Sequence, residues 1–192
     1  MRKVTLKRKT NETSIELTLN LDGNQIIDID TKIPFFDHML TLFAFHGQFD
    51  LTIVCDGDIE VDDHHTVEDV GLVLGKAITQ ALGDKAGMTR YGYSLLPMDE
   101  SLARVVIDIS NRPVLVYRNA ISREKLGTMD SQNVKEFFKS VVASAQLTLH
   151  TEVLYGENDH HKVEALFKAF GRALNEATTI TGKSVMSTKG VL

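Results

Sequence analysis

The chain has 192 residues, 43% of them hydrophobic, with 21 Lys and Arg against 26 Asp and Glu for a formal net charge of −5. That length supports one sizeable domain or two tightly joined small ones, and the acidic balance excludes a general electrostatic attraction to nucleic acid or to an anionic membrane. Cys55 is the only cysteine, which rules out an intrachain disulfide and a thiolate metal cluster. The start, MRKVTLKRKT, has no apolar segment behind its basic residues, and no apolar run reaches membrane-spanning length, so a cytoplasmic protein is expected.

In chain order, the alternation of Ile15, Leu17 and Leu19, a turn at Asp22-Gly23-Asn24 and the stretch QIIDID predict a β-hairpin. Pro34 marks the entry to a helix whose stripe is Phe36, Met39, Leu40 and Phe43, ended by Gly47. DLTIVCDG predicts a strand, and TVEDVGLVLGKAITQAL a second helix closed by Gly83. The second half runs similarly. LARVVIDIS and PVLVYRN read as strands around the turn Asn111-Arg112-Pro113. SQNVKEFFKSVVASAQ reads as a helix with the stripe Val134, Phe137, Phe138, Val141 and Val142. The strand LTLHTEVLY and the helix KVEALFKAFGRALNEA follow, and TGKSVMSTKGVL forms a tail.

The order strand-strand-helix-strand-helix therefore occurs twice, which predicts an internally duplicated chain with halves at 1–88 and 89–192 forming one unit. DDHHTVED and NDHHKVEA carry the match: His64 and His160 are 96 residues apart, half the length of the chain. Asp63/Asp159, His64/His160, His65/His161, Val67/Val163, Glu68/Glu164, Gly75/Gly171 and Ala77/Ala173 are identical pairs.

Successive helical residues point ~100° apart, so His64 and His65 diverge while Glu68 lies angularly between them. One such helix is suited to offer one ligand to each of two ions. Imidazole and carboxylate without sulfur suit Mn, Fe, Zn or Ni alike. The competing reading is an N-terminal polar cluster capped by Asp62 and Asp63, which the second copy disfavours. His38 lies off the apolar stripe of its helix, and repeat alignment pairs it with Glu136, making these two candidate further ligands. His46, two turns after His38, is placed to line the same pocket, or is a surface histidine. His150, within an apolar strand and aligned with Thr52, reads as structural.

With FFDHMLTLFAFHGQFDL, GDIEVDDHHTVEDVGLVLG, RYGYSLLPMDESLARVVIDISNRP and GENDHHKVEALFKAFGRAL in view, the chain closely resembles the imidazoleglycerol-phosphate dehydratase family over nearly its whole length. The resemblance implies an α+β fold in which each half gives a mixed four-stranded sheet and two helices. The helices form a four-helix bundle between the sheets, with left-handed βαβ crossovers. It implies two Mn2+ per active site, held by His38, His64, His65, Glu68, the residue before FF (here Glu136, where many members have histidine), His160, His161 and Glu164. It further implies self-association into a 24-mer built from trimers, with active sites at subunit interfaces.

The implied reaction is dehydration of imidazole glycerol phosphate to imidazole acetol phosphate in histidine biosynthesis. The two ring nitrogens of the substrate would each meet one ion, and the ring would pass through an imidazolate and a diazafulvene-like intermediate. Glu12 of RKTNET would carry the acid/base role, with His38 and His46 beside it as catalytic candidates, and Glu12, His64, Glu68 and His160 would also contact substrate. Arg90, Arg112, Lys168, Ser187 and Lys189 match the family's phosphate-binding positions. Two other readings of the same motifs are a manganese phosphoesterase of the DHH type, which would lean on more aspartates, and a non-catalytic metal-storage assembly.

Overall fold

The computed structural model describes residues 2–192. All four expected helices form: α1 (Pro34–Gly47), α2 (His64–Leu82), α3 (Asn133–Ala145) and α4 (Asp159–Thr178). Their apolar stripes are the buried faces. Phe36, Met39, Leu40 and Phe43 of α1, and Val134, Phe137, Phe138 and Val141 of α3, are sealed from solvent at matching repeat positions. Rings from three helices interlock at the centre. Phe36 meets Phe137 edge-on at 5.4 Å, Phe43 stacks on Phe170 at 4.9 Å and Phe137 on Phe167 at 5.2 Å; each such pair adds about 0.5–1.5 kcal/mol beyond its area burial.

The sheets enclose this bundle. The first joins β1 (Lys3–Lys9), β2 (Thr13–Asn20), β3 (Ile27–Asp30) and β4 (Asp50–Gly57) in the order β1-β2-β4-β3. The second joins β5 (Tyr91–Met98), β6 (Ser101–Asp108), β7 (Val114–Arg118) and β10 (Thr148–Tyr155) in the order β5-β6-β10-β7. A two-stranded ribbon of β8 (Lys125–Leu126) and β9 (Met129–Asp130) lies between β7 and α3 in sequence. Ile15, Leu17 and Leu19 of β2 and Leu51, Ile53 and Cys55 of β4 are buried on one inner face, and Ala103, Val105, Ile107 and Leu149 on the other. They join the helical residues in one continuous core spanning both halves. Each sheet is mixed, with one parallel pair, β3 on β4 and β7 on β10, and the two strand orders are the same.

Two expected pairings are corrected by the fold. β2 and β3 do not form a hairpin, because β4 lies between them and pairs with both. The cause is visible at Asp50, whose carboxylate accepts the backbone N–H of Asn24 at 2.7 Å and of Ile26 at 3.0 Å. That hold carries the chain across β4 instead of back along β2. In the second half β10 separates β6 from β7 in the same way. The partners that β2 and β6 do find by hairpin, β1 and β5, were not anticipated as strands.

Helix pairs approach unusually closely at one repeated position. A Cβ on Gly75 of α2 would stand 2.5 Å from the carbonyl oxygen of Val141 on α3, and one on Gly171 of α4 would stand 2.2 Å from that of Phe43 on α1. Only a residue without a side chain lets the backbones meet there. These two contacts set α2 against α3 and α1 against α4, the pairings on which the histidine clusters depend.

Candidate metal and phosphate site

The histidine pairs open α2 and α4, where backbone N–H groups need acceptors. Asp62 Oδ1 accepts the N–H of His64 at 2.7 Å, and Asn158 Oδ1 accepts that of His160 at 2.9 Å. The repeated aspartates one residue later have a different task from the capping expected of Asp63. Asp63 accepts the N–H of Asp130 at 2.7 Å and Asn133 Nδ2 at 2.8 Å. Asp159 accepts the backbone N–H groups of Ser122 and Arg123, the Ser122 hydroxyl and Lys162 Nζ, all at 2.7–2.8 Å. Both thus tie a helix start to the connection between β7 and α3. Burial raises the Asp63 carboxyl above its usual range. Burial also opposes ionisation of Asp159, but Lys162, Ser122 and Arg123 outweigh it and hold that carboxyl well below the usual range.

The first histidine of each pair turns towards its own helix glutamate, at the i+4 position expected to face it. His64 Nε2 lies 3.3 Å from Glu68 Oε2, and His160 Nε2 lies 3.3 Å from Glu164 Oε2. The second histidine diverges and is held from outside. His65 Nδ1 lies 3.1 Å from both Asp58 carboxylate oxygens, and His161 Nδ1 lies 2.7 Å from Glu100 Oε2. Those hydrogen bonds raise the pKa of His65 and of His161. Glu100 also accepts the N–H of Asn158 at 2.8 Å, and these bonds keep it ionised far below the ordinary glutamate range. A carboxylate on Nδ1 fixes the tautomer and leaves Nε2 as the outward lone pair, the usual arrangement behind a ligating imidazole. Asp58 and Glu100 were missed in the sequence; their only local signal is a carboxylate in the loop or turn beside the helix start.

Among the described residues, His38, His160 and Glu164 form one group whose ligand atoms all lie within 4.8 Å of one another. His38 Nε2 is 3.7 Å from Glu164 Oε2, the Glu164 side chain is 10% exposed, and the His160 ring packs edge-on against Phe35 at 5.2 Å. Imidazole and carboxylate donors converging from two helices fit a divalent transition metal. Between α2 and α3, Glu136 does not close on His64 and Glu68 in the same way; it is paired with Lys139 at 2.8 Å.

Glu12 sits in the β1–β2 turn with its carboxylate 3.9 Å from His65 Nε2 and about half exposed. Its place is fixed by Thr10 Oγ1, which accepts the N–H groups of Glu12 and Thr13, and by the N–H of Asp58, donated to the Glu12 carbonyl at 3.0 Å. His46 departs from expectation. It shares a helix face with His38 but lies ~12 Å further along the axis, and lines a separate cavity of about 460 Å³ with Gln48, Tyr93, Arg172 and Glu176. Burial there, with Lys168 and Arg172 nearby, lowers its pKa. His150 is exposed on the outer face of the second sheet rather than enclosed in a core, since alternation along β10 points it away from the helices.

Arg90, Arg112, Ser187 and Lys189 line one open cleft of about 930 Å³ between the β6–β7 region and the C-terminal tail. Asp108 braces it, accepting Arg90 Nε at 2.7 Å and standing 3.5 Å from Arg112, and Arg90 also donates to the Met186 carbonyl at 2.8 Å. The tail is thus fastened by the same arginine that faces the cleft. Lys168 is not in that group; within this chain it contacts Glu164 and lies 3.4 Å from Met98 Sδ.

A family profile described as imidazoleglycerol-phosphate dehydratase matches residues 31–174. The imidazoleglycerol-phosphate dehydratase of Bacillus subtilis is 54% identical over 194 residues, covering both chains in full. That of an Exiguobacterium species is 56% identical over 99% of this chain and 98% of its own. The crystal structure of the Staphylococcus aureus enzyme superposes with a TM-score of 0.85 at 43% identity, over 93% of this chain and 99% of that one; the Pyrococcus furiosus structure gives 0.84 at 36%, over 97% and 100%. With the duplicated histidine motifs, the shared fold and these full-length identities, the chain belongs to the imidazoleglycerol-phosphate dehydratase family of hydro-lyases.

Proposed function

We propose that this chain dehydrates imidazole glycerol phosphate to imidazole acetol phosphate, a step of histidine biosynthesis, with the substrate ring held between two divalent ions, Mn2+ by preference. The observation that carries the reading is the convergence of His38, His160 and Glu164 within 4.8 Å, beside a second His-His-x-x-Glu motif in the equivalent place. When bound, the ions supply Lewis acidity to the imidazole, easing loss of its ring proton.

The chain's own residues do the rest. His38, His160 and Glu164 hold one ion, and His64, Glu68 and Glu136 the other. His65 and His161, turned outward by Asp58 and Glu100, complete the shells of ions held by neighbouring copies, which makes the active site composite and the protein a cytoplasmic 24-mer assembled from trimers. Residues 1–88 and 89–192 then act as two halves of one unit. Glu12, near His65 but open to solvent, moves the proton between the substrate carbon and the departing hydroxyl. Arg90, Arg112, Ser187 and Lys189 receive the phosphate, the arginines through forked donors and the lysine as a point charge.

The test is turnover of imidazole glycerol phosphate, followed by absorbance of the dehydrated product, for wild type and Glu12→Gln. Ketone product, lost by about 10²–10⁴-fold in the variant, supports the assignment. Release of inorganic phosphate would point to a phosphoesterase instead. Binding of metal without turnover would point to a storage assembly, and full activity of Glu12→Gln would remove that residue from the chemistry.

A further inference from the structure

The two halves repeat each other closely enough that their differences can be read position by position. His64, Glu68 and Glu136 in the α2–α3 cluster answer to His160, Glu164 and His38 in the α1–α4 cluster. In the α1–α4 cluster, Glu164 divides its two oxygens: Oε2 faces His38 and His160 at 3.7 and 3.3 Å, while Oε1 takes Lys168. An ion can therefore enter between the imidazoles without displacing the lysine. The carboxylate is already shielded from water, so little remains to be rearranged.

The α2–α3 cluster is built differently at each of these points. Leu72 stands where Lys168 would be, and the cation comes instead from Lys139 on α3, where it holds Glu136. Asn133 replaces Phe35, so His64 is hydrogen-bonded through Nδ1 at 3.0 Å where His160 meets a ring. Glu68 has a side chain 41% exposed, against 10% for Glu164. An ion here must draw Glu136 away from Lys139 or use its other oxygen, and must strip water from Glu68. The half-site is more negative by one charge, but that charge is on Glu136, where Lys139 already offsets it at 2.8 Å.

We propose that the two half-sites load unequally and in order: the preassembled His38–His160–Glu164 site takes the first divalent ion, and the His64–Glu68–Glu136 site takes the second more weakly. This rests on the two-metal reading above and goes beyond it, since a symmetric pair would fill together. Restraint of ligands by their surroundings tunes metal affinity by about 10–100-fold, so the two phases stand at least roughly tenfold apart.

The experiment is titration of the full-length protein, freed of metal by chelator, with Mn2+ alone. Free ion is counted by the paramagnetic resonance signal of aqueous Mn2+, and the heat of binding is followed in parallel. Two phases are expected, each of one ion per chain. His38→Ala should abolish the tighter phase and leave the weaker, while Glu136→Gln should keep the tighter and weaken the second. Circular dichroism of each variant checks that it is folded, and the wild-type titration decides the matter should either variant fail that check. A single phase of two equivalent ions, or survival of the tighter phase with loss of the weaker in His38→Ala, overturns unequal loading while leaving the two-metal reading intact. Absence of any Mn2+ binding by an active enzyme overturns both.

Discussion

Replacing Gly171 by alanine tests the helix contact that brings His38 to Glu164. On an exposed helix this change would stabilise by about 1 kcal/mol through helix propensity. Here the new Cβ would lie 2.2 Å from the Phe43 carbonyl oxygen and 2.9 Å from the Gly47 nitrogen, both backbone atoms that cannot swing aside. Ordinary contact begins near 3.4 Å, so α1 and α4 must part by about 1 Å at their most closely packed point. Overpacking of this kind costs about 1–3 kcal/mol, and backbone partners place it at the upper end. The cost outweighs the propensity gain and leaves a net loss of about 2 kcal/mol, or roughly 4–8 °C in Tm for a chain of this size. Thermal melts of wild type and Gly171→Ala at one protein concentration, with metal removed from both, measure it directly. Gly71→Ala is the internal control, since its Cβ would meet backbone at 2.9 Å and calls for a smaller shift. A Gly171→Ala protein that melts at or above wild type would refute the claim that close backbone approach, rather than chance, keeps glycine there.

The remaining predictions concern the site and its supports. Lys189→Ala should raise KM for the phosphorylated substrate by about tenfold or more while changing kcat less, since a charge-assisted phosphate contact contributes about 1.5–3 kcal/mol; steady-state kinetics separates the two. Asp159→Asn should flatten the acid limb of stability. The wild-type carboxyl titrates below its unfolded value, so its contribution is complete above the unfolded pKa near 4 and is lost as pH falls below it towards the folded pKa; denaturation midpoints between about pH 5 and pH 2 would show the limb. Glu100→Gln should weaken metal binding by about 10–100-fold by freeing the His161 ring, with the far-ultraviolet circular dichroism unchanged. His64→Ala and His160→Ala should each lose bound metal and shift the assembly to smaller species by light scattering.

The helices were legible because their burial has a period that sequence preserves: the α1 and α3 stripes are the residues that the core encloses. Strand pairing was not, because it depends on partners far along the chain. Asp22-Gly23-Asn24 looks like a hairpin turn, and only the carboxylate of Asp50, 26 residues beyond Asn24, makes it a crossing. The edge strand β5 hid for another reason. Its inward positions are the small Gly92 and Ser94, and its outward ones Tyr91, Tyr93 and Leu95 are exposed, so the usual apolar-in pattern is reversed. The cause is α4, whose Ala173 carbonyl presses so close that a Cβ on Gly92 would overlap it.

The histidine clusters were legible for a related reason: two copies of one short motif mark them, and helix angles alone assign His64 and His65 to different directions. What surrounds them was not. Asp58 and Glu100 occupy different places in their halves, one in the β4–α2 loop and the other in the β5–β6 turn, so aligning the repeats could not pair them. Both nevertheless place a carboxylate on Nδ1 of the outward histidine. The same orientation has been reached from two loops, which means that the direction of those two Nε2 atoms is the constrained quantity and the loop that supplies the carboxylate is free to differ. The inward donors show the reverse, with His38 and Glu136 on equivalent turns of equivalent helices but different in kind. Symmetry in this chain therefore governs where these side chains stand, while the chemistry at each position has diverged.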